Sequence, residues 1–137
     1  LVASSLEAVL SQRLVRKVCE ACQEEYQPDE GILNAIPLSL DVKSYVRGVG
    51  CPECNQTGYK GQVGVFELLV FDEELRHTVW SSLAIDLKSV PVFRPMMYDA
   101  VQKVRDHVTT IEEVVRSVPM PGSSDEGNDA EGVTVDL

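Results

Sequence analysis

Four cysteines fall in two Cys-x-x-Cys pairs, Cys19 with Cys22 and Cys51 with Cys54, and these are all the cysteines of the 137-residue chain. A Cys-x-x-Cys turn aims two sulfurs at one point. Two such turns supply the four thiolates of a tetrahedral metal site, with Zn–S distances of about 2.3 Å. The 28 residues between the pairs are more than the commonest zinc-ribbon spacing, but both ligand pairs are intact. A tetrathiolate with no open position and no nearby histidine is closed, so the expected Zn²⁺ is structural rather than catalytic. Rubredoxin-like iron, a redox dithiol or two disulfides are the competing uses of the same side chains.

The charge distribution narrows the partners. Formal net charge is −10, and Asp125, Glu126, Asp129, Glu131 and Asp136 place half of it in residues 119–137, which hold no Lys or Arg. Four thiolates on one Zn²⁺ add a further net −2. Such a surface repels phosphate backbones, so nucleic acid is not an expected partner. Apolar runs such as Val63–Val70 fall far short of the roughly 20 residues that span a bilayer. The chain shows no signal-peptide pattern, and zinc-type cysteine pairs fit a reducing compartment, so a cytoplasmic location is expected. The start at Leu1 without a methionine suggests a piece of something longer.

The elements that must position the cysteines are read from periodicity. Val2, Leu6, Val9, Leu10, Leu14 and Val18 recur mostly at steps of three and four, which predicts an amphipathic helix over 1–18. Arg13, Arg16 and Lys17 would then sit at its C-terminal end, where cations are favoured and can offset the thiolates. Pro28-Asp29-Glu30 opens a short helix through Ile32 and Ala35 that Pro37 ends, and Val42–Val49 reads as a strand into the second pair. The β-branched and aromatic run Val63–Val70 predicts a strand. Asp72 caps a helix from Glu73 to about Ser82 with Leu75, Val79 and Leu83 inward and Trp80 at the edge. A helix from Pro95 to Arg105 turns Met96, Met97, Ala100, Val101 and Val104 inward. Thr109-Thr-Ile-Glu112 and Thr110-Ile-Glu-Glu113 are overlapping capping boxes for a last helix, with a stripe of Ile111, Val114, Val115 and Val118 ending at Pro119. The acidic tail 119–137 buries too little to order itself.

The segment Gly50-Cys-Pro-Glu-Cys-Asn-Gln-Thr-Gly-Tyr-Lys-Gly-Gln-Val-Gly-Val-Phe-Glu-Leu-Leu69 resembles the zinc-binding region of the type II secretion and type IV pilus assembly ATPases, the GspE/PilB-like hexameric motors. Ser4–Cys19, Asp72-Glu-Glu-Leu-Arg76 and Asp99–Val118 resemble further stretches of that family in the same order, so the resemblance covers about 1–118. It implies the C-terminal part of a motor whose ATP/Mg²⁺ site lies in upstream residues, acting as a hexamer on inner-membrane platform proteins. No Gly-x-x-x-x-Gly-Lys-Ser/Thr loop occurs here, so this chain alone should not hydrolyse ATP. The family usually has arginine between the two glycines after the knuckle tyrosine, where Gln62 stands, and glycine where His107 stands. Arg13, Arg16, Lys60 and Gln62 are the candidate nucleotide or subunit contacts.

Two other classes compete. A co-chaperone zinc repeat, Cys-x-x-Cys-x-Gly-x-Gly, fits Cys51–Gly58 except at Gln56, but that class needs four knuckles. A redox dithiol wants a βαβ context that is missing. The expected fold is α+β: a mostly helical subdomain packed around a tetracysteine zinc module with a few short strands and a disordered acidic tail. Its expected parts are a helix over 1–18, the module over 19–60, a strand and helices over 61–118, and the tail.

Overall fold

A computed structural model describes residues 5–36, 41–81, 90 and 93–120. Its spine is a long antiparallel ribbon of β1 (Ala8–Val18) and β4 (Tyr59–Val70). A second two-stranded sheet pairs β2 (Gln23–Tyr26) with β3 (Tyr45–Gly48). Helix α1 (Glu30–Ala35) joins those two strands, and α2 (Glu73–Ser81), α3 (Met96–Arg105) and α4 (Ile111–Ser117) follow the ribbon. The α+β class stands, but its centre is strand rather than helix.

The expected helix over 1–18 is a strand from Ala8 to Val18. Its helical spacing was real, but a strand partner supplied a better use for the same residues. In the register Leu10↔Leu68, Gln12↔Phe66 and Val15↔Val63, directly opposed residues share a face and stabilise the pair. Val9, Val15 and Val18 are β-branched, which suits a pleated surface. Burial follows the strand: Val15 and Val65 are fully covered, while Leu10 and Leu14, apolar in either reading, are exposed. The register shifts between Arg16 and Val18, where the ribbon turns into the cysteine region. The expected division at residue 60/61 falls inside β4. Ile36 of the intervening segment packs in one core cluster with Val15, Val65 and Met97, so the two sides of that division share a core.

The C-terminal helices follow the sequence reading closely. Met96, Met97, Ala100, Val101 and Val104 of α3 are all buried, in one core cluster with Ile111 and Val114 of α4 and with Val118 just after it. Asp29 caps α1, its side chain accepting from the Gly31 amide at 2.8 Å. Asp72 accepts the Leu75 amide at 2.7 Å ahead of α2. Only Leu75 of the α2 apolar set is buried; Val79 is half-exposed and Trp80 is 73% exposed. Leu83, Pro37 and the tail beyond Met120 lie outside the described residues.

At the entrance of α4 one of the overlapping capping boxes is used, and only half of it. Thr110 accepts the Glu113 amide at 3.2 Å, while Thr109 donates to the Arg16 carbonyl at 2.7 Å. The Glu113 carboxylate does not turn back to the cap. It is 1% exposed and accepts five hydrogen bonds: from the Arg16 backbone N–H, from Arg16 Nε and Nη2, and from Arg116 Nε and Nη2. Burial alone would raise its pKa, but the bonds from Arg16 and Arg116 outweigh burial and hold it down to about 2. Its stabilising contribution is therefore complete above the ordinary carboxylate range and is lost as pH falls through about 2. Glu113→Gln should lower stability at pH 7 by about 2 kcal/mol in urea unfolding. Replacing Arg16 and Arg116 together, which leaves the buried charge unpaired, should cost about 3–5 kcal/mol.

Candidate metal centre

The two cysteine pairs occupy equivalent local structures. Cys19 precedes a 3₁₀ turn over Glu20–Cys22, and Cys51 precedes one over Pro52–Cys54. In both, the second cysteine amide donates to the carbonyl of the first, at 3.2 Å. The second turn winds on through Asn55 and Gln56, whose φ values of 52° and 62° are left-handed, to Gly58 at 76°. Two backbone bonds bring the turns together: Cys19 N–H to the Gly58 carbonyl at 2.9 Å, and Val49 N–H to the Cys22 carbonyl at 3.1 Å. Gly48 and Gly58 pass backbone against backbone here, and a Cβ on either would collide with the other's main chain. Glycine at these two positions is a requirement of close approach.

All four sulfurs lie within 4.8 Å of one another. Cys19–Cys51 and Cys22–Cys54 are 3.8 Å apart, and Cys51–Cys54 is 3.7 Å. Vertices of a tetrahedron with arms of about 2.3 Å stand roughly 3.8 Å apart, so the spacing is that of a tetrathiolate holding a zinc-sized ion. All four cysteines are free thiols, and their separations are far beyond the roughly 2.05 Å of a disulfide. Cys19, Cys22 and Cys54 are buried, with Cys51 partly covered. Burial pushes the Cys22 thiol up to about 12. Burial also acts to raise Cys54, but amide donation from Cys51 and Gly58, each at 3.2 Å to its sulfur, outweighs it and brings this thiol to about 6. A divalent cation at the centre would hold all four as thiolates, and the donated amides already orient one of them. The set fits a closed metal site compatible with zinc.

The other candidate residues are distributed around this centre. Arg16 lies over the Tyr59 ring at 4.0 Å while it grips Glu113, and the Tyr59 hydroxyl bonds Thr110 at 2.9 Å. Gln62 is exposed and opposite Arg16 in the ribbon register. Lys60 pairs with Glu53 at 3.1 Å on the surface, and Arg13 reaches the Ser117 carbonyl at 3.4 Å. The four are thus not gathered into one pocket: Arg16 braces the fold, and Arg13, Lys60 and Gln62 stand on its surface. His107, where the resembled family tends to have glycine, adopts φ 57° and meets Ser44 Oγ at 3.1 Å through Nε2. It is a satisfied polar residue at a left-handed position. Glu113 and Tyr59 were missed by sequence reading; the Thr-x-x-Glu box marked Glu113 only as a cap.

A family model described as "Type II/IV secretion system protein" matches residues 1–116. The chain belongs to that family. It is 37% identical over 121 residues to the type IV pilus assembly ATPase PilB of Thermus thermophilus, covering 83% of this chain and 14% of that protein. It is 39% identical over 125 residues to a type II secretion system protein E of Pseudomonas aeruginosa, covering 85% of this chain and 24% of the relative. With the type IV pilus assembly ATPase TfpB of Acinetobacter baylyi it shares 34% over 128 residues, 88% of this chain and 22% of the relative. The chain thus spans less than a quarter of the length of these relatives. Among the described residues no helix is long and apolar enough to cross a membrane.

For a family member built this way, the metal count is decisive. Purified without chelator, the chain should carry one zinc and resist thiol alkylation. Chelation should expose four reactive thiols, and Cys51→Ser should release the metal with loss of amide protection across residues 19–60.

Proposed function

We propose that this chain is the zinc-bearing C-terminal portion of a hexameric secretion or pilus-assembly motor ATPase, joining ATP hydrolysis by upstream residues to assembly of pseudopilus or pilus and to protein export. Support comes from the match over residues 1–116 and the relatives named as type II secretion and type IV pilus ATPases. The observation that carries the mechanical part is the placement of the sulfur cluster. β1 runs directly into Cys19, and β4 begins five residues after Cys54, so a bound Zn²⁺ clamps one end of the ribbon. Structural zinc adds its binding free energy to the fold. Displacement applied to the ribbon would then pass to α3 and α4 through the shared core rather than being absorbed by a loose loop.

In this reading the motor is cytoplasmic and reaches the membrane through inner-membrane platform proteins. The net charge of −10 argues against nucleic acid as a partner. Arg13, Lys60 and Gln62 are the exposed positions from which a nucleotide or neighbouring-subunit contact would be made, and Arg16 acts by positioning. Gln62 offers hydrogen bonds but no charge, so such a contact is weaker than one from arginine. ATP and Mg²⁺ bind only in the longer protein.

The test uses the longer polypeptide that contains this chain. Cys51→Ser should remove zinc and abolish transport or pilus formation in cells, while nucleotide still binds at the upstream site. The chain alone should show no ATP affinity stronger than about 1 mM by calorimetry. A zinc-free variant that assembles and transports at the wild-type rate would refute the coupling role.

A further inference from the structure

Two surfaces of the chain are complementary to each other and, among the described residues, unused within one copy. The first is the outer face of α2. Leu75 points inward, whereas Glu73, His77 and Trp80 recur at i, i+4 and i+7 on the opposite side, with Glu74 adjoining. Trp80 is the only tryptophan and is 73% exposed. Glu73, Glu74 and His77 are exposed, and none has an ion-pair partner among the described residues.

The second is an open groove of about 880 Å³ between β4 and the start of α3, lined by Phe66, Leu68, Phe93 and Tyr98 together with Arg94 and Arg105. Asp99 also lines it, but that carboxylate is committed: it accepts the Phe66 amide at 2.9 Å and Lys103 at 2.6 Å. Arg94 and Arg105 have no ion-pair partner among the described residues. The lining therefore sets two arginines among aromatic side chains, on a chain whose net charge is −10.

We propose that Trp80 of one copy seats in this groove of a second copy, with Glu73 and Glu74 facing Arg94 and Arg105. Two copies of so acidic a chain repel on average, so the favoured contact is one that sets acid against these arginines. Trp, Tyr and Arg are the residue types that dominate binding energy at interfaces, and an arginine beside an indole adds a cation–π attraction. The knob and the groove are different surfaces of one chain, so the contact is head-to-tail. Each copy that donates its knob still offers its groove, and such a contact repeats, closing into a ring where the rotation allows. The proposal stands on these two surfaces and is independent of the ATPase reading.

The single tryptophan makes the test direct. In about 0.15 M salt, raising the chain towards about 1 mM should shift Trp80 emission to the blue and raise the sedimentation mass above the 15.1 kDa of one chain. Trp80→Ala and Arg105→Glu should each abolish association while leaving the circular dichroism spectrum unchanged, since both side chains are exposed. A mixture of the two variants should form a one-to-one complex and stop there, because one intact knob then meets one intact groove. A monomer with unshifted emission throughout, association that survives either substitution, or variants that fail to complement each other would overturn the proposal.

Discussion

Four sulfurs converge on one point, and that constraint organises everything around it. Buried thiols this close cannot all ionise without a cation among them, because like charges in a poorly solvated site oppose one another. The chain meets the constraint geometrically before any ion is considered. Amides of Cys51 and Gly58 donate to Cys54, and the bare backbones of Gly48 and Gly58 let the two turns approach. The ribbon, the small β2–β3 sheet and the turns all end at this point.

Charge is handled at a second place in the opposite way. Glu113 is as buried as the core valines, yet it has every partner it needs within the chain. It binds a strand and a helix from opposite ends of the sequence, and Arg16 carries the connection on to Tyr59 at the edge of the cysteine region. Removing an arginine is costly because the carboxylate cannot move to water. Arg16 and Arg116 are themselves 42% and 62% exposed, so removing the glutamate leaves them solvated. The bridge is asymmetric in what it tolerates.

The parts legible in the sequence are those whose signals are local. Cysteine spacing announced the cluster of four sulfurs, Asp29 and Asp72 marked helix starts, and the Met96–Val104 stripe named its own buried face. The region 8–18 was misread because its apolar residues fit a helical period, and its partner strand lies far along the chain. Nothing within 8–18 states that Val63 will sit opposite Val15. Glu113 was hidden for a similar reason. An acidic residue in the first turn of a helix is ordinary, and only the distant Arg16 turns it into a buried anion. Gly48 and Gly58 look like turn residues until the two turns are seen to touch.

The position of the cysteines also bears on how the ribbon comes to exist. β1 and β4 are separated by the whole segment from Cys19 to Gly58, so in a metal-free chain their pairing must close a long loop before any ladder contact rewards it. Cys19 immediately follows β1, and Cys54 lies just ahead of β4. An ion captured by the two pairs would hold those strand ends together. The ribbon would then have only to zip outward from the bulge at Val18 towards Ala8, as a hairpin does. A bound ion would in this way turn a non-local search into a local one.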